Sequence, residues 1–133
     1  MTIQAASATI ITRQLAETRK FYEKLFQATS SFDCGWYVVL RLSKTDNAPE
    51  LCLMEPQDNT PAFSGGLFVN LKFDQVDQIH KQIVQTGITP VIPLEDHPWG
   101  DRGFGIIDPS GVTVYCYQSI DPTAEYQKYF VTQ

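Results

Sequence analysis

Side chains able to do chemistry crowd into one stretch of the chain, "DHPWGDRGFGIIDPSG", Asp96 to Gly111. It holds His97, Trp99, Arg102 and the aspartates Asp96, Asp101 and Asp108 among four glycines. An imidazole beside carboxylates suggests general acid–base work or metal ligation. The competing reading is a loop with an exposed histidine, since His97 precedes Pro98 and a residue before proline is driven to extended geometry. A tryptophan in a Pro/Gly-rich loop either stacks on a planar ligand or caps a core or a subunit contact. Arg102 either clamps a ligand anion or pairs with Asp101 or Asp108, and the surface pair is the commoner use. Cys52 would serve as a nucleophile only beside a base in an electropositive setting. The sequence offers neither, so it reads as a small buried apolar residue. His80, among Asp77, Lys81 and Gln82, reads as a solvated helix residue.

Composition bounds what these residues can serve. A chain of 133 residues suits one domain, and 43% hydrophobic residues supply a core. No apolar run approaches a membrane span. The N-terminal "MTIQAASATIIT" has no basic residue ahead of its apolar part and does not read as a signal peptide. Cys34, Cys52 and Cys116 are odd in number and lack CxxC spacing, which argues against a disulfide framework and fits a cytoplasmic protein. A formal charge of −5 argues against nucleic-acid binding, which relies on neutralising phosphates, and weakly favours a cationic ligand.

The elements that must position the reactive residues follow from periodicity. "SATIIT" is β-branched and reads as a strand. "LAETRKFYEKLF", Leu15 to Phe26, puts Leu15, Phe21, Tyr22, Leu25 and Phe26 on one side of a helix. "WYVVLRL" and "ELCLM" are strands, and a shorter strand precedes Cys34. After a Pro/Gly-rich loop, Glu55 to Gly66, the order starts again. "LFVNLKF" alternates, with Leu67, Val69, Leu71 and Phe73 on one face and Phe68, Asn70 and Lys72 on the other. "QVDQIHKQIVQTG" is a helix with an apolar stripe of Val76, Ile79, Ile83 and Val84, stopped at Gly87. "TPVIPL", "FGII" and "VTVYCYQ" are strands, and "DPSG" favours a type I turn. The tail from residue 119 to 133 carries Tyr126, Tyr129 and Phe130 at helical spacing and is expected to dock on the domain or a partner subunit.

Each half therefore reads strand, helix, strand, strand, strand. The expected class is α+β: two βαβββ modules, at about 5–56 and 65–118, in one domain with a mixed, mostly antiparallel sheet and helices on its outer face. An Asn and a Lys on the face away from the helix suit a concave, partly wet pocket. On the last strand Tyr115 and Tyr117 share that face, and Val114 and Cys116 the other. The alternation leaves open which of Trp36 and Tyr37 faces the pocket.

"RQLAETRKFYEKLF" and "HPWGDRGFGIIDPSGVTVYCYQ" resemble two signatures of the glyoxalase, bleomycin-resistance and extradiol-dioxygenase superfamily, the vicinal oxygen chelate proteins. The likeness spans roughly Ser7 to Gln118, with Phe26, Gln14 and Val112 departing from the usual Gly, Asp and Asn. The resemblance implies a cup formed by both modules, commonly completed in a homodimer. In metal-using members, ligands sit on the first and last strands of each module. Counted from the motifs, those positions fall at Ser7, near Cys52, at Phe68 and at Tyr115. None supplies an imidazole or carboxylate, so no metal and no cofactor are expected. Phe68 and Tyr115 would instead make an aromatic floor that suits organic planes or cations.

The expectation is a metal-free, non-catalytic protein of the bleomycin-resistance type. It would bind or sequester a small aromatic or cationic molecule, antibiotics included, with no nucleic-acid or membrane partner. Its candidate ligand-binding residues are Trp36, Arg41, Phe68, Asn70, Trp99, Arg102, Tyr115 and Tyr117. The alternatives are a metal-dependent glyoxalase-like lyase or dioxygenase, recruiting residues such as Glu50, His97 or Asn70, and a small-molecule sensor or interaction module.

Overall fold

The structure is a computed structural model that describes residues 1–131, so the last two residues of the tail lie outside the described residues. The chain divides into two compact units.

The first unit comprises residues 1–65 and 108–111. In order it contains β1 (Ala8–Ile11), α1 (Leu15–Phe26), β2 (Thr29–Asp33), β3 (Tyr37–Arg41) and β4 (Glu50–Met54). The strands lie in the order β1-β4-β3-β2, with β1 parallel to β4 and the other pairs antiparallel. Alternation in β3 sends Val38 and Leu40 inward, beside Ile10, Leu51 and Leu53. Tyr37, Val39 and Arg41 share the other face, while Trp36 lies in the turn before the strand.

Helix α1 has the predicted bounds, and its buried residues are Leu15, Thr18 and Tyr22. Thr18 belongs to the buried stripe although its hydroxyl hid it from a purely apolar count. That hydroxyl is satisfied: it lies 2.6 Å from the Ser110 hydroxyl, which donates to Thr12 Oγ1 at 2.7 Å. Thr12 Oγ1 in turn accepts the Gln14 N–H at 2.9 Å. The Tyr22 hydroxyl donates to Asp108 Oδ2 at 2.8 Å, and both residues are buried. The turn that carries Asp108 and Ser110 is closed by the Gly111 N–H on the Asp108 carbonyl at 3.0 Å. Gly111 has φ +90°, which glycine adopts without steric cost.

Of the described residues, the second unit comprises 66–107 and 112–131. It contains β5 (Phe68–Lys72), α2 (Val76–Gln85), β6 (Ile92–His97), β7 (Asp101–Ile107), β8 (Thr113–Ser119) and the short α3 (Ala124–Gln127). The order is β5-β8-β7-β6, with β5 parallel to β8 and the rest antiparallel. The buried face carries Phe104, Ile106, Val114 and Cys116, and α2 packs against β7 and β8 through Val76 and Ile83. The Gln118 side chain accepts the Val76 N–H at 2.9 Å, which satisfies one orphan donor at the start of α2.

Three expectations need correction here. Val84 is exposed, so the apolar stripe of α2 is narrower than its sequence. His80 is half-buried and sets its ring edge-on to Phe104, 4.9 Å between centroids, instead of lying in solvent. β6 runs on to His97 and β7 begins at Asp101, so the reactive stretch is a strand pair joined by Pro98-Trp99-Gly100 and not a long loop. The tail docks on this turn: the Ile120 N–H donates to the Gly100 carbonyl at 2.9 Å and the Thr123 N–H to the Pro98 carbonyl at 2.9 Å.

Candidate functional site

A cavity of about 380 Å³ opens on the face of the second sheet opposite α2. β5 contributes Phe68 and Asn70, and β8 contributes Tyr115, which lies opposite Asn70 in the register. These positions alternate with Val69, Leu71, Val114 and Cys116 of the helix side, as a period of two requires. β6 adds Ile92 and His97, the turn adds Trp99, and β7 adds Asp101. Between them β7 presents glycines for want of space. A Cβ on Gly103 would lie 2.6 Å from the Tyr115 ring, and one on Gly105 would lie 2.7 Å from Ile92.

Asp101 organises the polar side of the cavity. Its Oδ1 accepts from the Tyr115 hydroxyl at 2.6 Å and lies 2.7 Å from His97 Nδ1. Its Oδ2 accepts from the Trp99 indole N–H at 2.8 Å. The strand register makes this meeting inevitable, because His97 and Asp101 are cross-strand partners at the end of the β6–β7 pair. The Trp99 ring stacks on His97, centroids 4.6 Å apart and planes 5° off parallel, and Tyr126 of α3 meets it edge-on at 6.3 Å. Burial pushes the Asp101 carboxyl up, but the bonds from Tyr115, His97 and Trp99 outweigh burial and hold it below its ordinary value. Burial and the neighbouring carboxylate push the Tyr115 hydroxyl up, so it stays a donor at neutral pH. Asp101 is therefore an ionised carboxylate whose charge is spent on three internal donors.

The predicted site residues separate accordingly. Phe68, Asn70, Trp99 and Tyr115 line this cavity. Tyr117 stacks beside Tyr115, centroids 5.9 Å apart. Arg102 is turned to other work: its guanidinium bonds both oxygens of Asp77 at 2.8 and 3.1 Å and Asp96 at 3.0 Å, in place of Asp101 or Asp108. Trp36 and Arg41 belong to the first unit. There Trp36 meets Tyr37 edge-on, and Arg41 donates to the Thr45 carbonyl at 2.6 Å. Sequence reasoning passed over Ile92, His97 and Asp101 as lining residues. The signal for His97 and Asp101 was the spacing "HPWGD", a His and an Asp flanking three turn residues that end in Gly100, whose φ is +114°.

The donors present do not suit a divalent metal. Among the described residues no group of three or more His, Cys, Asp or Glu gathers. Cys52 is buried with its sulfur 3.9 Å from the Ser7 hydroxyl, and Thr9 is its cross-strand partner on β1. In the second unit the one carboxylate of the cavity is already saturated by protein donors, and Phe68 offers none. A metal there would have to strip Asp101 of bonds that hold three other side chains in place.

The family model for the Glyoxalase/Bleomycin resistance protein/Dioxygenase superfamily matches residues 4–115, and the chain belongs to that superfamily. Solved structures with the same fold include a lactoylglutathione lyase from Agrobacterium tumefaciens (18% identity, 89% of this chain and 96% of that one, TM-score 0.71). Another is a member of the superfamily from Sphaerobacter thermophilus DSM 20745 (21% identity, 89% and 98%, TM-score 0.72). A third is TnmS3, an antibiotic binding protein from Streptomyces sp. CB03234 (18% identity, 89% and 97%, TM-score 0.70). No curated protein matches the chain. At these identities the likeness speaks to fold and leaves function to the site.

Proposed function

We propose that the protein binds a small organic molecule without a metal centre, in the manner of a bleomycin-resistance protein, and that the cavity on β5–β8 is where the ligand sits. One observation carries the reading: an open cavity walled by Phe68, Trp99 and Tyr115, whose only carboxylate is already bonded internally. Aromatic walls favour planar ligands, each contact contributing about 0.5–1.5 kcal/mol beyond its buried area. Antibiotics with fused or conjugated rings fall within that class, and so do aromatic cations. A homodimer and a cytoplasmic setting belong to the same proposal; sedimentation at micromolar concentration tests the first.

The test is calorimetric titration with 2-methoxynaphthalene, a planar probe that has no hydrogen-bond donor. Binding is expected, with Phe68→Ala and Tyr115→Ala each weakening it about tenfold. Saturable binding untouched by both substitutions would place the ligand elsewhere. A stoichiometric divalent ion retained through purification would overturn the metal-free reading.

A further inference from the structure

We infer that His97 Nε2 is a ligand-facing hydrogen-bond acceptor, and that the cavity prefers planar aromatic molecules carrying an O–H or N–H donor, phenols and N–H heteroaromatics, over cations. The inference rests on the cavity being the ligand site. Its ground is the tautomer of His97. Asp101 is ionised and has no proton to give, so the 2.7 Å contact to its Oδ1 requires the hydrogen on Nδ1. The Tyr115 hydroxyl spends its own proton on Asp101 at 2.6 Å, so at 3.2 Å from Nδ1 it can only accept. In the Nδ1–H tautomer Nε2 carries no hydrogen.

Among the described residues Nε2 has no hydrogen-bond partner. The His97 side chain is only 15% exposed, one of its faces is covered by Trp99, and the ring lines the cavity. Nε2 is not among the buried unpartnered atoms of the described residues, so it is open to the cavity, within reach of a ligand donor. The rest of the lining sets the preference. It holds no Lys or Arg to attract an anion, and the Asp101 oxygens are already engaged by three protein donors, which leaves them less free to hold a cation. A flat ring laid against Phe68 with one donor toward Nε2 uses what remains.

The experiment compares 2-naphthol with 2-methoxynaphthalene, which differ by methylation of the one donor. Wild-type protein is expected to bind 2-naphthol about tenfold more tightly than the ether, the worth of one added hydrogen bond. His97→Phe keeps a ring to stack on Trp99 and should bring 2-naphthol down to the affinity of the ether. Asp101→Asn gives a folded control of different logic: its amide can donate to Nδ1, which moves the ring hydrogen to Nε2 and should likewise erase the preference for 2-naphthol. Equal binding of the two probes by the wild type, or a preference that survives in His97→Phe, overturns the acceptor role while leaving the aromatic site standing. Failure of the wild type to bind either probe overturns both.

Discussion

Tyr115→Phe isolates what the Asp101 cluster contributes. Phenylalanine keeps the ring beside Tyr117 and removes only the hydroxyl, so the cavity wall survives and the 2.6 Å bond to Asp101 does not. Hydrogen bonds to a charged partner are worth about 1.5–3 kcal/mol. The Asp101 side chain is 16% exposed, and water can partly replace the lost donor there, so the lower end applies, about 1.5 kcal/mol. The pH dependence has a definite sign. Burial raises the Asp101 pKa, but the bonds from Tyr115, His97 and Trp99 bring it below its unfolded value. A carboxylate depressed in this way contributes stability that is present above the unfolded pKa and is lost as the pH falls through the folded pKa. Without the Tyr115 bond the folded pKa moves back up, so less is left to lose. Urea denaturation of both proteins at about pH 7 and about pH 3 should show the full gap at neutrality and a smaller one in acid. A gap below about 0.5 kcal/mol at neutrality, or one that does not shrink in acid, would refute the account.

Gly103→Ala should destabilise the protein by about 1–3 kcal/mol, because the new methyl would also lie 2.8 Å from the Cys116 carbonyl, which cannot swing aside; thermal unfolding at wild-type stability would contradict it. Tyr22→Phe removes a bond to a buried carboxylate and should cost about 1.5–3 kcal/mol by urea titration, well above the effect of the same change at the exposed Tyr129. Iodoacetamide should add a single label to the native protein, at the exposed Cys34, because Cys52 and Cys116 are buried and burial pushes the Cys116 thiol up to about 12. Intact mass showing two labels before unfolding would be the contrary result.

The regular elements were legible because their periods are clean. "LAETRKFYEKLF" and "ELCLM" give α1 and β4 to the residue, and the alternation of Phe68 to Lys72 separates the cavity face from the helix face. Less clear were places where one residue answers two demands. Thr18 is buried but polar, and its partner Ser110 lies 92 positions away. In β7 the cavity-side positions are Asp101, Gly103 and Gly105, a run with no apolar signal, because Tyr115 and Ile92 already fill the space their side chains would take. Prolines at 93 and 98 further hid the β6–β7 pair. His97 looked like a loop residue for that reason, and its tautomer follows only from knowing that Asp101 stands across the ladder.

The turn from Asp108 to Gly111 has a consequence for how the chain is made. The first unit's buried hydroxyls at Tyr22 and Thr18 find their partners in residues translated 86 and 92 positions later. Until the ribosome has delivered that turn, α1 lacks the Asp108 and Ser110 partners of its Tyr22 and Thr18 hydroxyls. A fragment ending at Gly65 would lack the segment that completes its unit. The two βαβββ halves look like a duplicated motif, yet the earlier one gains four residues of its unit only when the later one is nearly synthesised.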